Sequence, residues 1–582
     1  MIWRRCKRSA LALIPAAWLA ACGGRPAGLL LPAGPTLASY FPAFAVAGSG
    51  GLQIVLGGTG FGSGTVARWN GAARPTQVGN ANQLTMTVSA ADLAAPGTAM
   101  LTVADGAGAI SNALAFGIAS PAAAGAGVIL LVSAAMDGGG ANGDSLFPPA
   151  LSASARYIAF QSNATNLVPG AASGFYDIYV RDTCIGAPTG CVPSTVRASV
   201  ATDGTLANGN SRAPSISGGG RFVAFDSSAT NLVPNDTWTN GNADIFLRDT
   251  CIGAPTGCAP STTRLSVTPT GAQANGESEN PRVSADGRYI AFDSGASDLV
   301  AGDVNGWPDV FVRDTCWGAA GACSPATSLT SLATSGTQGD ADSFEQIITP
   351  DGRFVAFESY ADNLVPGDTN GNPDIFVRDT CTGAPAGCTP TTFLASLTSA
   401  GGLSQGQLTY NVVPSLSANG RFVAFASMAG DLVPGDTNQR ADVFLRDTCV
   451  NAPAGCAPTT TRVSIGNDGA QGNDGSSDQS ISADGRLVAL ASLATNLVPA
   501  DTEPPMASKD IFVRDTCFGA PAGCSPSTVR VSVAASGKES NGVSDDPVLS
   551  ADGHYVAFVS NATNLAPGAN GHGLIFLAKT GF

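Results

Sequence analysis

Carboxylates and amides alternate around a glycine in two short stretches of this 582-residue sequence. One reads Asp303-Val-Asn305-Gly306-Trp-Pro-Asp309, the other Asp368-Thr-Asn370-Gly371-Asn-Pro-Asp374. Hard oxygen donors at this spacing, on a loop that a glycine lets turn sharply, suit Ca²⁺. The expected ligands are Asp303, Asn305 and Asp309 in the first stretch and Asp368, Asn370 and Asp374 in the second. The glycine comes early and one alternating ligand is missing, so Asx-type turn chemistry stands beside calcium as the alternative. Weaker versions occur at Asp236, Asn240 and Asp244, at Asp436, Asn438 and Asp442, and at Asp501 and Asp510.

Cysteine supplies the second chemistry. Of 14 cysteines, twelve form pairs separated by six residues: Cys184 with Cys191, Cys251 with Cys258, Cys316 with Cys323, Cys381 with Cys388, Cys449 with Cys456, and Cys517 with Cys524. Each pair brackets a short segment between two strand-like runs, so its members face each other at a hairpin mouth, where cross-strand spacing suits a disulfide. Zinc would want four ligands, and the chain has only two histidines. Six local disulfides are expected, in an oxidising compartment.

Nucleophilic catalysis finds little support. No Gly-x-Ser-x-Gly elbow is present, His554 replaces the turn arginine of the seventh unit, and His572 has no aspartate at the position beside it where the other units carry one. Paired carboxylates keep one enzymatic alternative open, a carbohydrate-active hydrolase or a calcium-assisted polysaccharide lyase. Trp238 and Trp307 could stack on sugars or simply pack their loops. The repeated Arg-Asp pairs, such as Arg313-Asp314 and Arg378-Asp379, point to a structural network, because a catalytic centre is asymmetric.

The elements that must position these residues repeat. A turn, then Arg-aromatic-Val-Ala-Phe-x-Ser, then Asn-Leu-Val-Pro recurs with variations seven times, and Asp-Ile-Phe-Val-Arg-Asp-Thr-Cys follows in the first six. The first cysteines stand at 184, 251, 316, 381, 449 and 517, a period of 65 to 68 residues. Each unit carries four strand signals rich in Val, Ile, Phe and Thr. In the third these are Pro281–Ser284, Arg288–Ser294, Asp309–Thr315 and Thr327–Ala333. The seventh unit ends after its third strand, Leu574–Lys579, while an orphan strand, Gly127–Ser133, precedes the first. That orphan is expected to complete the last unit and close the array. Apolar residues are 44% of the chain and charged residues 13%, with 72 glycines and 37 prolines, as suits an all-β protein with many turns. A net charge of −15 without any basic stripe excludes a nucleic-acid partner.

The Ser-Ala-Asp-Gly-Arg-x-x-Ala-Phe-x-Ser phrase resembles TolB-type, WD-repeat-like β-propellers. The resemblance implies a seven-bladed propeller over 127–582, with the loops after second and fourth strands on one binding face. The Asp/Asn loops resemble those of integrin-type and dockerin-like repeats. Tyr40-Phe41-Pro42, Leu56–Phe61, Val66–Gly71 and Ser111-Asn112-Ala113 resemble an IPT/TIG domain. That implies a small immunoglobulin-like sandwich over 35–118, joined by a linker at 119–126. Arg4, Arg5, Lys7 and Arg8, an apolar stretch and Leu19-Ala20-Ala21-Cys22-Gly23 resemble a lipoprotein signal. This implies a signal peptide at 1–21, lipidation of Cys22 with an anchor linker at 22–34, and an outer-membrane location. The expected protein is a monomeric, non-catalytic envelope lipoprotein that binds a protein or glycan.

Overall fold

The computed structural model describes residues 34–582 apart from 42–43, 47–50, 96, 120–128, 171, 189–190, 237–242, 410–412 and 500–507. The signal segment and Cys22 lie outside the described residues, as do Trp238, Asn240 and Asp501. All regular elements among the described residues are strands. Among them no helix is long and apolar enough to cross a membrane.

Each of the first six repeats folds into one antiparallel sheet of four strands in chain order. In repeat three these are Ser278–Val283, Tyr289–Ser294, Asp309–Asp314 and Ala326–Leu329. The chemistry of the recurring phrase explains the pairing. The Phe of the second strand lies opposite an aromatic of the third: Phe225 on Phe246, Phe292 on Phe311 and Phe357 on Phe376, each with ring centroids 5.9 Å apart. Such pairs add roughly 0.5–1.5 kcal/mol beyond the area they bury. Gly287, at φ +83°, closes the turn between first and second strands, and a Cβ there would meet the Phe222 ring of the preceding repeat at 2.1 Å. Glycine is needed for the left-handed backbone and for that close approach.

The first strand starts earlier than expected, at Ser278, and carries a bulge between Glu279 and Arg282 with Asn280 at φ +54°. Equivalent left-handed residues are Ala213, Glu345, Asp478 and Asp546. The fourth strand is shorter than expected, because the chain soon folds back on itself: Leu332 bridges Gln338, as Val267 bridges Gln273. Ile129–Leu131, inside the expected orphan strand, pairs antiparallel with Leu574–Lys579 of the seventh repeat.

The strand pairing corrects the expectation of a closed, seven-bladed TolB-type β-propeller preceded by an immunoglobulin-like domain. The described strands make nine separate sheets, eight of four strands and one of five, all open and none curled round on itself. The reason lies in the connections. The bridges after each fourth strand use backbone donors locally, so no ladder passes from one sheet to the next. Successive sheets are tied instead by single turn-to-turn bonds, such as Gly218 N to Ala285 O at 2.9 Å and Ala285 N to Pro350 O at 2.9 Å, and by shared apolar cores. The core of the seventh repeat includes residues of the sixth and the first. Residues 36–119 form two open sheets around one core that includes Trp69, Leu101 and Phe116, and Phe44–Val46 runs parallel to Leu114–Ala119.

Candidate functional site

Every repeat presents two ends. The hairpin end holds the turns between first and second and between third and fourth strands. The loop end holds the connections from second to third strand and from fourth strand to the next repeat.

At the hairpin end the cysteines join as six disulfides: Cys184 to Cys191, Cys251 to Cys258, Cys316 to Cys323, Cys381 to Cys388, Cys449 to Cys456, and Cys517 to Cys524. Their Cα–Cα distances are 5.6–5.8 Å. Beside each sits an arginine fork. Arg288 donates from Nε and Nη2 to the two oxygens of Asp314, at 2.9 and 2.8 Å, and Cys316 N donates to the same carboxylate at 2.7 Å. The fork holds the Asp314 carboxyl below its ordinary range and lies over the Tyr289 ring. The arginine one residue earlier on the third strand serves as a staple: Arg378 Nη1 reaches the Leu332 and Ala333 carbonyls of the preceding repeat, both at 3.1 Å. The Arg-Asp pairs are therefore structural.

An aspartate and two cysteines meet at each of these corners, as Asp314, Cys316 and Cys323 do, and such a trio could in principle hold a metal. The sulfurs are committed elsewhere. In repeat six Cys524 Sγ lies 3.8 Å from both Asp515 Oδ2 and Arg486 Nη2, but Cys524 is already bonded to Cys517 and the carboxylate to the arginine. A disulfide sulfur carries no thiolate charge and is a poor ligand.

At the loop end the structure brings the predicted carboxylates together and shows what compensates them. In repeat two, Arg264 Nη1 lies 3.0 Å from Asp236 and 3.7 Å from Asp244, while Gln273 Nε2 donates to both, at 3.3 and 2.7 Å. Arg462 sits against Asp436 and Asp442 at 3.7 and 3.6 Å in repeat five. Arg197 and Arg530 approach Asp177 and Asp510, each at 3.3 Å. Register places Leu329 and Leu394 at the position of these arginines in repeats three and four. In repeat three Gln338 Nε2 substitutes, donating to Asp303 at 2.8 Å and Asp309 at 2.9 Å. Repeat four has Leu403 at the glutamine position.

The two asparagines act as turn formers. Asn305 and Asn370 donate from Nδ2 to Asp309 and Asp374, at 2.9 and 2.8 Å. Their carbonyl oxygens accept the Trp307 and Asn372 amides. Burial raises the carboxyls of Asp303 and Asp309. Burial, then the charge of Asp374, pushes Asp368 up to about 7, and burial pushes Asp374 up to about 6.

A second group of acids appears only in three dimensions. The bulges of the first strands and the penultimate residues of the second strands gather Asp226, Asp293 and Glu345 around Arg282, with Glu279 beside them and Arg212 as the second cation of the group. Burial, then Glu345, pushes Asp293 up to about 8; burial, then Glu279, pushes Asp226 up to about 7. Burial also raises Glu279 and Glu345 and lowers the Arg282 guanidinium. Across repeats six and seven, Lys509 Nζ binds Asp478 at 3.1 Å and Asp545 at 3.0 Å. Part of the sequence signal was there to be found: the penultimate residue of the second strand varies from repeat to repeat, as in Gln161, Asp226, Asp293 and Ala426, while the serine after it does not. The structure also supplies His572 with an acid 428 residues away, Asp144 Oδ1 at 3.1 Å from Nδ1, a pair that spans the two ends of the repeat array.

No protein-family model and no curated protein matches the chain. Among solved structures it is similar to one assigned to TolB from Agrobacterium tumefaciens, at 17% identity over 54% of this chain and 80% of that one, with a TM-score of 0.28. It is similar to an auxiliary nutrient binding protein from Bacteroides thetaiotaomicron, at 11% identity over 79% and 95% of the two chains, TM-score 0.28. A puromycin-hydrolyzing peptidase from Mycobacterium tuberculosis shares 12% identity over 72% and 50%, TM-score 0.38. Superpositions this loose carry no argument about function.

Proposed function

We propose that this chain is a non-catalytic envelope protein that binds a protein or glycan partner through its loop end. One observation carries the proposal. The loop end displays large apolar side chains: Phe147, Phe175, Val304, Trp307, Tyr360 and Met428 are between 40 and 83% exposed. Aromatic and methionine side chains held in water on one surface are what partner recognition uses. At the hairpin end Trp317 is also partly exposed, but it is engaged internally, with the Arg221 guanidinium over its ring and the Phe222 ring meeting it edge-on. Lipid attachment at Cys22 in the outer membrane belongs to the same proposal, and mass analysis of the wild type beside Cys22→Ala tests it. For binding, the test is envelope capture beside a glycan array, using the mature chain and a Trp307→Ala/Tyr360→Ala/Met428→Ala variant. Selective retention by the wild type supports the proposal. Equal retention by the variant refutes it.

A second reading has its own support. The acids around Arg282 are concentrated and asymmetric, and Asp293 holds its proton at neutral pH, as a general acid for glycoside cleavage would. Turnover of a polysaccharide that Asp293→Asn abolishes would establish a carbohydrate-active enzyme in place of a binding protein.

A further inference from the structure

Leu394 and Leu403 single out repeat four. Across the first six repeats the loop end is built on one plan: an aspartate opens the third strand, and most repeats add another aspartate in the loop before it. At the equivalent of Leu394, repeats one, two, five and six carry arginine, which contacts these carboxylates. Repeat three has leucine there, but its Gln338 amide bridges both carboxylates. Repeat four has leucine at both positions, so neither position supplies a donor in place of the cation. Yet Asp368 and Asp374 are as buried as their counterparts, 6 and 3% exposed. Asp374 is partly satisfied by the Ser396 hydroxyl and the Asn370 amide. Asp368 Oδ1 is buried with no hydrogen-bond partner among the described residues. Two desolvated carboxylates in one loop, one with an unpartnered oxygen, cost stability unless a cation joins them.

We infer that repeat four holds a divalent cation of the calcium type between Asp368 and Asp374, in the place that a guanidinium fills in its sister repeats. Two carboxylate charges match a 2+ ion, and hard oxygen donors select calcium-like ions over soft metals. Asn370 is not among the ligands, because its amide nitrogen faces Asp374 and its oxygen is taken by Asn372. Carbonyls and water complete the shell. The inference goes beyond the proposed partner binding and does not depend on it.

The test is calorimetry and thermal melting of the mature chain with CaCl2, MgCl2 or chelator. The expected result is one calcium per chain, a higher melting temperature with calcium than with magnesium, and loss of both effects in Asp368→Asn. Because that variant also removes a buried charge, a second one matters more: Leu394→Arg grafts the internal cation of repeat two. It should fold, lose the calcium heat and melt independently of chelator, while Asp303→Asn keeps one calcium per chain. No calcium heat in the wild type, or undiminished calcium binding by folded Leu394→Arg, would overturn the inference. So would two ions of which Asp303→Asn removes one.

Discussion

The hairpin end and the loop end of this molecule are made from the same seven repeats and have diverged to different degrees. At the hairpin end, arginine fork, aspartate and disulfide recur six times with nearly identical geometry. At the loop end the same backbone plan carries arginine, glutamine or leucine, and exposes different apolar residues from one unit to the next. Repetition marks what holds a sheet together, since every sheet needs it. Departure from repetition marks where one sheet does something the others do not.

The largest effect should come from making a sister repeat resemble repeat four. Arg462→Leu combined with Gln471→Leu, measured with chelator present, leaves Asp436 and Asp442 without their cation and without the amide that serves repeat three, in a site where Arg462 and the two carboxylates are at most 7% exposed. Removing one partner of a buried ion pair costs about 3–5 kcal/mol, readable in a denaturant melt. If this double variant is neutral, the contrast between the two kinds of repeat fails. Next comes the hairpin end: replacing Cys449 and Cys456 by serine should cost at most ~2.5 kcal/mol, by the entropy of the small loop released. Breaking the fork beside it, with Arg421→Ala, should cost about 2 kcal/mol through the loss of charge-assisted bonds to Asp447.

The acids around Arg282 sharpen the comparison through pH. Asp293 and Asp226, raised to about 8 and about 7, bind protons more tightly folded than unfolded, where a carboxyl titrates near ~4. Their stabilising contribution is full below ~pH 4 and is lost as pH rises through about 7 to 8. The melting temperature should therefore fall between pH 5 and pH 8, and Asp293→Asn should flatten that slope and be the more stable protein at pH 8. The hairpin forks run the opposite way, because Asp314 and Asp379 are lowered and lose their contribution only in acid. The smallest effect on stability belongs to Trp307→Ala, within about 0.5 kcal/mol for an exposed side chain, and its signature is partner retention alone.

Sequence by itself determined the unit. Strand-forming runs, the glycine turn and the local cysteine pairs were legible, because hairpins and small disulfide loops are closed by residues near one another in the chain; the orphan strand that joins Leu574–Lys579 was legible from the repeat itself, because the seventh unit lacks a fourth strand of its own. Cys517 and Cys524, seven positions apart, are such a case. It also located the loop carboxylates. Only the tertiary structure decided how the units are joined: as open sheets, since the repeat phrase encodes ladders within a unit and leaves the links between units to side chains and single bonds. Compensation of the carboxylates was hidden as well, because Arg264 reaches Asp236 across 28 residues and Gln273 across 37. The acids around Arg282 come from three repeats, and the Asp144–His572 pair from opposite ends of the array. Charges are compensated by whatever lies nearby in space, and spacing along the chain does not record that.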